Sequence, residues 1–296
     1  MGREIDATTG MLGAVGYPLR HSRSPLLMNG LCEKLDQNYV YLMYEFPPRD
    51  LAVAVSGLKA LGVRGFNVTM PYKQQIMAYL DEIDETAERL GAVNTVKQKD
   101  GRLTGYNTDY FGFRQALADA DISLEGRKVL ILGAGAVSGP VCLTMLEEKA
   151  GHVLWLNRDE EAAEFRAKMM NRIRPGSAGS GNLSPQSVNA GIKESDVIIN
   201  ITPVGMSASA QKILHFDPDV FNEKKTVFDV IYSPLKTPLL IEAEKRGAKI
   251  QNGIRMFINQ AKQAFEIWTG ISVPEQILCE MEYAVARDVD EDLVSG

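Results

Sequence analysis

The residues best placed to do chemistry in this chain are the glycines of Lys128–Gly139, KVLILGAGAVSG. A short apolar run, Val129–Leu132, leads into Gly133-Ala134-Gly135, and small residues follow before Val141-Cys142-Leu143. That order spells a buried parallel strand, a tight turn and a helix start. Residues without a Cβ let the backbone turn sharply and approach a pyrophosphate. The free N–H groups and dipole of the helix start then face the anion. Ser138 takes the third position of this GxGxxG-like string, small enough for close helix–strand packing. A second apolar run, Val153–Leu156, ends in Asn157-Arg158-Asp159. An acidic residue about 20 positions past the glycines is where such folds hold an adenosine ribose. The string alone suits a purely structural turn equally well, but with this second strand it predicts a dinucleotide-binding unit.

Other residues have two readings each. Ser22 and Ser24 precede Pro25, so Ser24 reads as a helix N-cap with proline in the first turn. Two hydroxyls at a helix start also suit a carboxylate. Asn67 and Thr69 alternate onto one face of a strand that Pro71 ends. Lys73 follows at the start of an expected helix, Gln74–Leu80, where a cation opposes the helix dipole. It reads as a solvated surface lysine or as one placed there for another purpose. Asn107, Thr108 and Asp109 precede a helix around Phe111–Ala118 and suit capping; for Asp109 a catalytic role weighs equally. Gln260 lies beside the apolar stripe of an expected helix, Met256–Thr269, as a surface residue or facing a cleft.

The elements that must position these residues alternate along the chain. Met11–Val15, Tyr39–Phe46 and Gly65–Thr69 read as strands, and Leu26–Leu35 and Leu51–Leu61 as the helices between them. A β-α-β-α-β order favours a parallel sheet with helices packed on it. Gly91–Val96 and Leu103–Tyr106 read as further short strands. Repeated strand–loop–helix units from 127 to 252 predict an open doubly wound sheet, with ligands beyond the carboxyl ends of its strands. Pro175–Pro185, PGSAGSGNLSP, reads as a flexible surface loop, and Asp288–Gly296 as a frayed acidic terminus. The fold class is therefore α/β: an N-terminal α/β substrate domain with a mostly parallel sheet, plus a Rossmann-type doubly wound domain.

Composition narrows the function classes. With 296 residues the chain is long enough for two ordinary domains. A net charge of −6 argues against a nucleic-acid or membrane-surface binder. Cys32, Cys142 and Cys279 are widely separated, and with three histidines (His21, His152, His215) they make a structural zinc site improbable. No apolar run reaches membrane-spanning length and no signal-peptide core is apparent, so a cytoplasmic enzyme is expected.

Taken in order, the strings HSRSP, GFNVTMPYK, GAVNTV, GYNTD, GAGAVSG, NITPVGM, DVIYSP and QAFEIWTG resemble the shikimate dehydrogenase family, from Gly13 to about Gly270. The resemblance implies a substrate domain of residues 1–112 completed by helices of 256–296, a Rossmann domain of 113–255, and a cleft holding nicotinamide cofactor and substrate. It implies that Ser22 and Ser24 bind the substrate carboxylate. Asn67, Thr69, Asn94, Asp109 and Gln260 would meet the ring hydroxyls, with Tyr232 also in the substrate set. Lys73 and Asp109 would form the catalytic pair, exchanging the hydroxyl proton while hydride passes to the nicotinamide. Gly133, Ala134, Gly135, Ala136, Asn157, Arg158, Asp159, Thr202, Met206 and Gly253 would contact the cofactor; no metal is required.

Two departures from the family pattern matter. Ala136 stands where the common GAGGA turn has glycine, and Asn157-Arg158-Asp159 stands where many NADP-dependent members have Asn-Arg-Thr. Arg158 suits a 2′-phosphate, whereas Asp159 or Glu160 would repel it and accept from a free ribose hydroxyl. With the long 175–185 loop, this resembles the quinate/shikimate dehydrogenase branch and favours NAD, with NADP tolerated. The expected ligands are shikimate and 3-dehydroshikimate, with quinate and 3-dehydroquinate as a further pair, and the expected assembly is a monomer or homodimer. The alternatives are a paralogue acting on a related cyclic hydroxy acid and a non-catalytic dinucleotide sensor.

Overall fold

The computed structural model describes residues 5–19, 22–206 and 214–295; His21 of the HSRSP string lies outside them. The chain divides into two compact units, Met1–Gly112 with Ile258–Val285 and Phe113–Phe257 with Ala286–Gly296.

In the first unit β1 (Gly10–Gly16), β2 (Tyr39–Glu45) and β3 (Gly65–Val68) are linked by α1 (Ser24–Lys34) and α2 (Leu51–Ala60). The short strand β4 (Glu82–Ile83), the helix α3 (Glu85–Leu90), β5 (Thr95–Lys99) and β6 (Arg102–Tyr106) follow. The sheet order is β2-β1-β3-β5-β6-β4. β1 pairs in parallel with β2 and β3, and β4 with β6, while β5 is antiparallel to both β3 and β6. The core on one side joins Val15, Phe66, Val68 and Val96 to Leu51, Val55 and Leu58 of α2. These apolar α2 positions recur at helical spacing, which is why that face turns to the sheet.

The chain then enters α4 (Thr108–Asp119) and the second unit. Its strands are β7 (Lys128–Leu132), β8 (His152–Asn157), β9 (Ala178–Asn182), β10 (Val197–Asn200), β11 (Thr226–Asp229) and β12 (Lys249–Gln251). They are ordered β12-β11-β10-β7-β8-β9 and every pairing is parallel. The helices α5 (Ser138–Glu147), α6 (Glu160–Ile173), α7 (Pro185–Glu194) and α8 (Pro238–Lys245) connect them. β7 shows why the sheet is covered on both sides. Val129 and Ile131 join Val141, Met145 and Trp155 in one core, while Leu130 and Leu132 join Val188, Ile192 and Leu240 in another. A strand with two buried faces has no polar alternation, as its sequence indicated. The order reverses at β7, the switch point where doubly wound sheets take their ligands. The chain closes with α9 (Ile254–Thr269) and α10 (Glu275–Ser295).

Several local expectations are corrected. Within Pro175–Pro185, Ala178–Asn182 is not loop but the edge strand β9, in register with β8 from Val153↔Ala178 to Asn157↔Asn182. Its sequence, AGSGN, carries no strand pattern; backbone pairing to β8 makes it a strand. Asp288–Gly296 is not frayed from its start, because α10 runs to Ser295. The expected helix at Gln74–Leu80 is a five-residue 3-10 segment, Gln75–Tyr79, so Lys73 faces no long helix dipole.

Candidate active site and dinucleotide site

In the first unit the chemistry gathers where β3 ends, β5 begins and α4 starts. Lys73 Nζ donates to Asp109 Oδ2 at 2.6 Å. The two side chains retain 16% and 11% exposure, enough for a ligand to reach them and too little for full hydration. Their backbones are braced by one dipeptide. Val93 N donates to the Lys73 carbonyl at 2.8 Å, and Asn94 Oδ1 accepts from Thr108 N at 2.7 Å. Asn94, rather than Asp109, thus satisfies the first N–H of α4, and Asp109 in the first turn is free to meet the lysine.

Around this pair runs a polar chain. Asn67 Nδ2 donates to Thr95 Oγ1 at 3.1 Å, and Asn94 Nδ2 to Thr108 Oγ1 at 3.1 Å. Thr95 and Thr108 are buried and their hydroxyls lie 3.2 Å apart. At the other end Tyr41 OH donates to Asn67 Oδ1 at 2.8 Å. Tyr41, Thr95 and Thr108 were not among the sequence candidates. Strand register supplies the signal for two of them. Leu12 pairs with Tyr41, Ala14 with Asn67 and Asn67 with Thr95, so all point to one face of the sheet.

Ser24 does not cap α1. The capping position is Arg23, with no side-chain cap bond, and Ser24 is the first helical residue. Its N–H instead reaches Ser22 Oγ at 3.3 Å, which brings the two serines together. Thr69, half-buried, follows β3; its N–H donates to the Val15 carbonyl at 2.9 Å. A Cβ on Gly16 would strike the Thr69 methyl, which explains glycine there. Gln260 is half-buried on α9, whose stripe Met256, Ala261, Ala264, Phe265 and Trp268 is buried as expected.

In the second unit the glycine turn lies between β7 and α5. Gly133 has φ +107°, and a Cβ there would sit 2.9 Å from the Thr202 methyl, so only glycine suits the position. Gly135 is the opposite case. Nothing lies within 4 Å of where its Cβ would be, leaving open space beside the backbone ahead of α5. Ala134 is half-buried and Ala136 exposed. The first turn of α5 carries no acidic residue that would repel an anion. Ser138 is fully buried; its hydroxyl donates to the Gly135 carbonyl at 2.5 Å and accepts from Arg166 Nε at 3.0 Å. These features fit a dinucleotide pyrophosphate.

At the end of β8, Asn157 Nδ2 donates to the Asp159 carbonyl at 3.0 Å, and Arg158 is exposed. The Asp159 carboxylate caps α6, accepting from Glu161 N at 3.1 Å and Ala162 N at 3.4 Å. Beyond β10, Asn200 Oδ1 accepts from both Thr202 N and Thr202 Oγ1, at 3.1 and 2.7 Å. Asn200 is held in turn by Asp229, whose Oδ1 accepts from Asn200 Nδ2 and Ile231 N, each at 3.0 Å. Asp229 Oδ2 accepts from Thr237 Oγ1 at 2.7 Å. Burial pushes the Asp229 carboxyl up to about 6 against these stabilising bonds. Asn200 and Asp229 were also missed; both are central-strand termini, where a polar residue interrupts an apolar run.

The remaining expected residues have structural contacts of their own. Tyr232 stacks on Phe257 at 4.8 Å and 16°. A Cβ on Gly253 would run into the Val230 carbonyl, so its glycine answers to packing. Met206 is 39% exposed in the loop after β10. Among the described residues no cluster of three metal-ligating side chains occurs, and no helix is long and apolar enough to cross a membrane.

Comparison with known proteins bears on both sites. The family described as shikimate dehydrogenase substrate binding domain matches residues 14–96, and the shikimate 5'-dehydrogenase C-terminal domain matches residues 253–278. The shikimate dehydrogenase (NADP(+)) of Alkaliphilus metalliredigens is 42% identical over 272 residues, 92% of this chain and 95% of that protein. The Listeria monocytogenes shikimate 5-dehydrogenase, solved with shikimate and NAD, superposes with a TM-score of 0.86 at 34% identity, covering 95% and 99% of the two chains. The Thermus thermophilus shikimate 5-dehydrogenase, solved with NADP(H) and shikimate, gives 0.81 at 30% identity, covering 93% and 99%. The relative carries an NADP(+) designation and the Listeria neighbour was solved with NAD, so the comparisons support a nicotinamide dinucleotide and give no support to the expected lean towards NAD. The Asp159 carboxylate on which that lean rested is engaged by the N-terminus of α6. With 95% of a relative covered at 42% identity, and with an α/β fold of two compact units, this chain belongs to the shikimate dehydrogenase family of enzymes.

Proposed function

We propose that this enzyme interconverts shikimate and 3-dehydroshikimate, with NADP as the preferred dinucleotide and Lys73 and Asp109 as the catalytic pair. The observation that carries the reading is the 2.6 Å Lys73–Asp109 contact at the rim of a polar cluster rich in carboxamides and hydroxyls. A polyhydroxylated ring acid needs such a lining, because each ring hydroxyl must find a partner when it leaves water.

NADP, when bound, supplies the acceptor or donor of hydride. In the reductive direction the Lys73 ammonium donates a proton to the ketone oxygen, and Asp109 holds the amine on its target. In the oxidative direction the neutral amine takes the hydroxyl proton at Nζ. Ser22 and Ser24 hold the substrate carboxylate through their hydroxyls, and Asn67, Thr69, Asn94 and Gln260 orient the ring. Arg158, exposed at the end of β8, pairs with the 2′-phosphate, and the open backbone at Gly135 takes the pyrophosphate. A non-catalytic sensor would have no use for a lysine and a carboxylate paired beside such a cluster.

The test is steady-state oxidation of shikimate and of quinate, each with NADP and with NAD, followed by reduced-cofactor absorbance. Turnover of shikimate with a higher kcat/KM for NADP is expected. Absence of shikimate turnover with either cofactor would overturn the substrate, and an NAD preference would overturn the role of Arg158. The quinate arms decide the breadth of the substrate range.

A further inference from the structure

The buried hydroxyl of Tyr41 has no part in the reaction described above, yet it bonds a residue that does, Asn67. Tyr41 is 1% exposed, and its ring lies 6.2 Å from that of Trp268 at 38°. A phenol buried this deeply is costly unless its oxygen is used, and burial drives its pKa well above the ordinary value. We propose that Tyr41 is a positioning residue for the substrate, fixing the Asn67 carboxamide in one orientation. The inference rests on the proposed substrate class and adds a residue to it.

Proton accounting gives the argument. Asn67 Nδ2 lies 3.1 Å from Thr95 Oγ1 and 3.4 Å from the Asn94 carbonyl. A carbonyl only accepts, so the amide end facing it is the NH2 and the oxygen faces Tyr41. The phenol has one proton, and it goes to Asn67 Oδ1 at 2.8 Å. Asn67 Oδ1, pinned by the phenol, keeps a second lone pair for a ring hydroxyl. Removing the phenolic oxygen leaves this carboxamide oxygen without its buried donor and free to lose its aim.

The experiment is Tyr41→Phe, which keeps the ring against Trp268 and removes only the oxygen. The KM for shikimate should rise about tenfold, as loss of one well-made hydrogen bond implies, while the KM for NADP stays within about twofold. The NADP value guards against a merely structural effect, which would move both. Because Tyr41 acts through Asn67, Tyr41→Phe should add little to the KM of an Asn67→Ala enzyme. An unchanged or lowered shikimate KM, equal rises for both ligands, or full additivity in the double variant would overturn the proposal. Failure of the substrate assignment reads differently, as a wild-type enzyme that does not turn over shikimate.

Discussion

Lys73 and Asp109 are separated by 36 positions in the chain and joined at 2.6 Å through one short brace, Val93-Asn94. Val93 holds the lysine's carbonyl and Asn94 holds the start of the helix that carries the aspartate. The pair's geometry is therefore set by backbone and cap bonds, and long side-chain stems contribute only the last approach. Shared support of this kind is what a proton-transfer pair requires, since small displacements of either partner cost rate steeply.

Asn94→Ala removes the acceptor for Thr108 N, so it should destabilise the fold by about 1 kcal/mol, as N-terminal cap losses do. It should also lower kcat by more than that destabilisation accounts for, because Asp109 rides on the loosened turn. Thermal unfolding alongside steady-state kinetics checks this. A variant of wild-type kcat would show that the brace is unnecessary.

Asp109→Asn keeps the shape and removes the charge. The lysine then lacks the partner that orients it, and kcat for shikimate oxidation should fall by roughly 10²–10⁴-fold. The KM for NADP should change little, since the proposed contacts to the dinucleotide's phosphates are made by Gly135 and Arg158 and not by Asp109. Kinetics with each ligand varied in turn separates the two effects.

Arg158→Gln tests the dinucleotide assignment. Loss of a charge-assisted contact to a 2′-phosphate should raise the KM for NADP by roughly 10- to 100-fold and leave that for NAD nearly unchanged. Equal effects on both cofactors would place Arg158 on a part of the dinucleotide common to both.

Asp229 makes stability depend on pH in an unusual direction. Its folded pKa of about 6 lies above the ordinary 3.8, so between these values the folded form binds more protons than the unfolded one. This residue's contribution is fully present below about pH 4 and is lost as pH rises through 6, amounting to about 3 kcal/mol. Asp229→Asn carries no such titration. The unfolding free energy of wild type minus that of Asp229→Asn should therefore fall from pH 4 to pH 6, and chemical denaturation at several pH values measures it. A flat difference would show that Asp229 is not held this way.

Much of the architecture was legible because it is local. Val129–Leu132 could only be a strand buried on both faces, and Gly133 before a helix start marked the turn correctly. What stayed hidden depends on partners distant in sequence. Ala178–Asn182 has no strand signature and becomes β9 by pairing with β8. Ser24 looked like a cap because serine before proline usually is one, yet it is the first helical residue and its N–H reaches Ser22 Oγ, and Asn94 caps a helix 14 residues further on. Asp159 was correctly singled out as an acidic residue at a strand end. Its contribution to cofactor choice depended on which way the carboxylate turned, and it turns to the α6 backbone. The polar chain from Tyr41 through Asn67 to Thr95 runs across strands, so it emerges only from register.

The most direct test of the account is the turnover of Lys73→Ala on shikimate with NADP, measured beside its thermal unfolding and its affinity for NADP. The account predicts a folded protein that binds NADP normally and has lost at least about 10³-fold in kcat. A folded Lys73→Ala enzyme with near-wild-type kcat would contradict it, because the proton would then be moving through some other group.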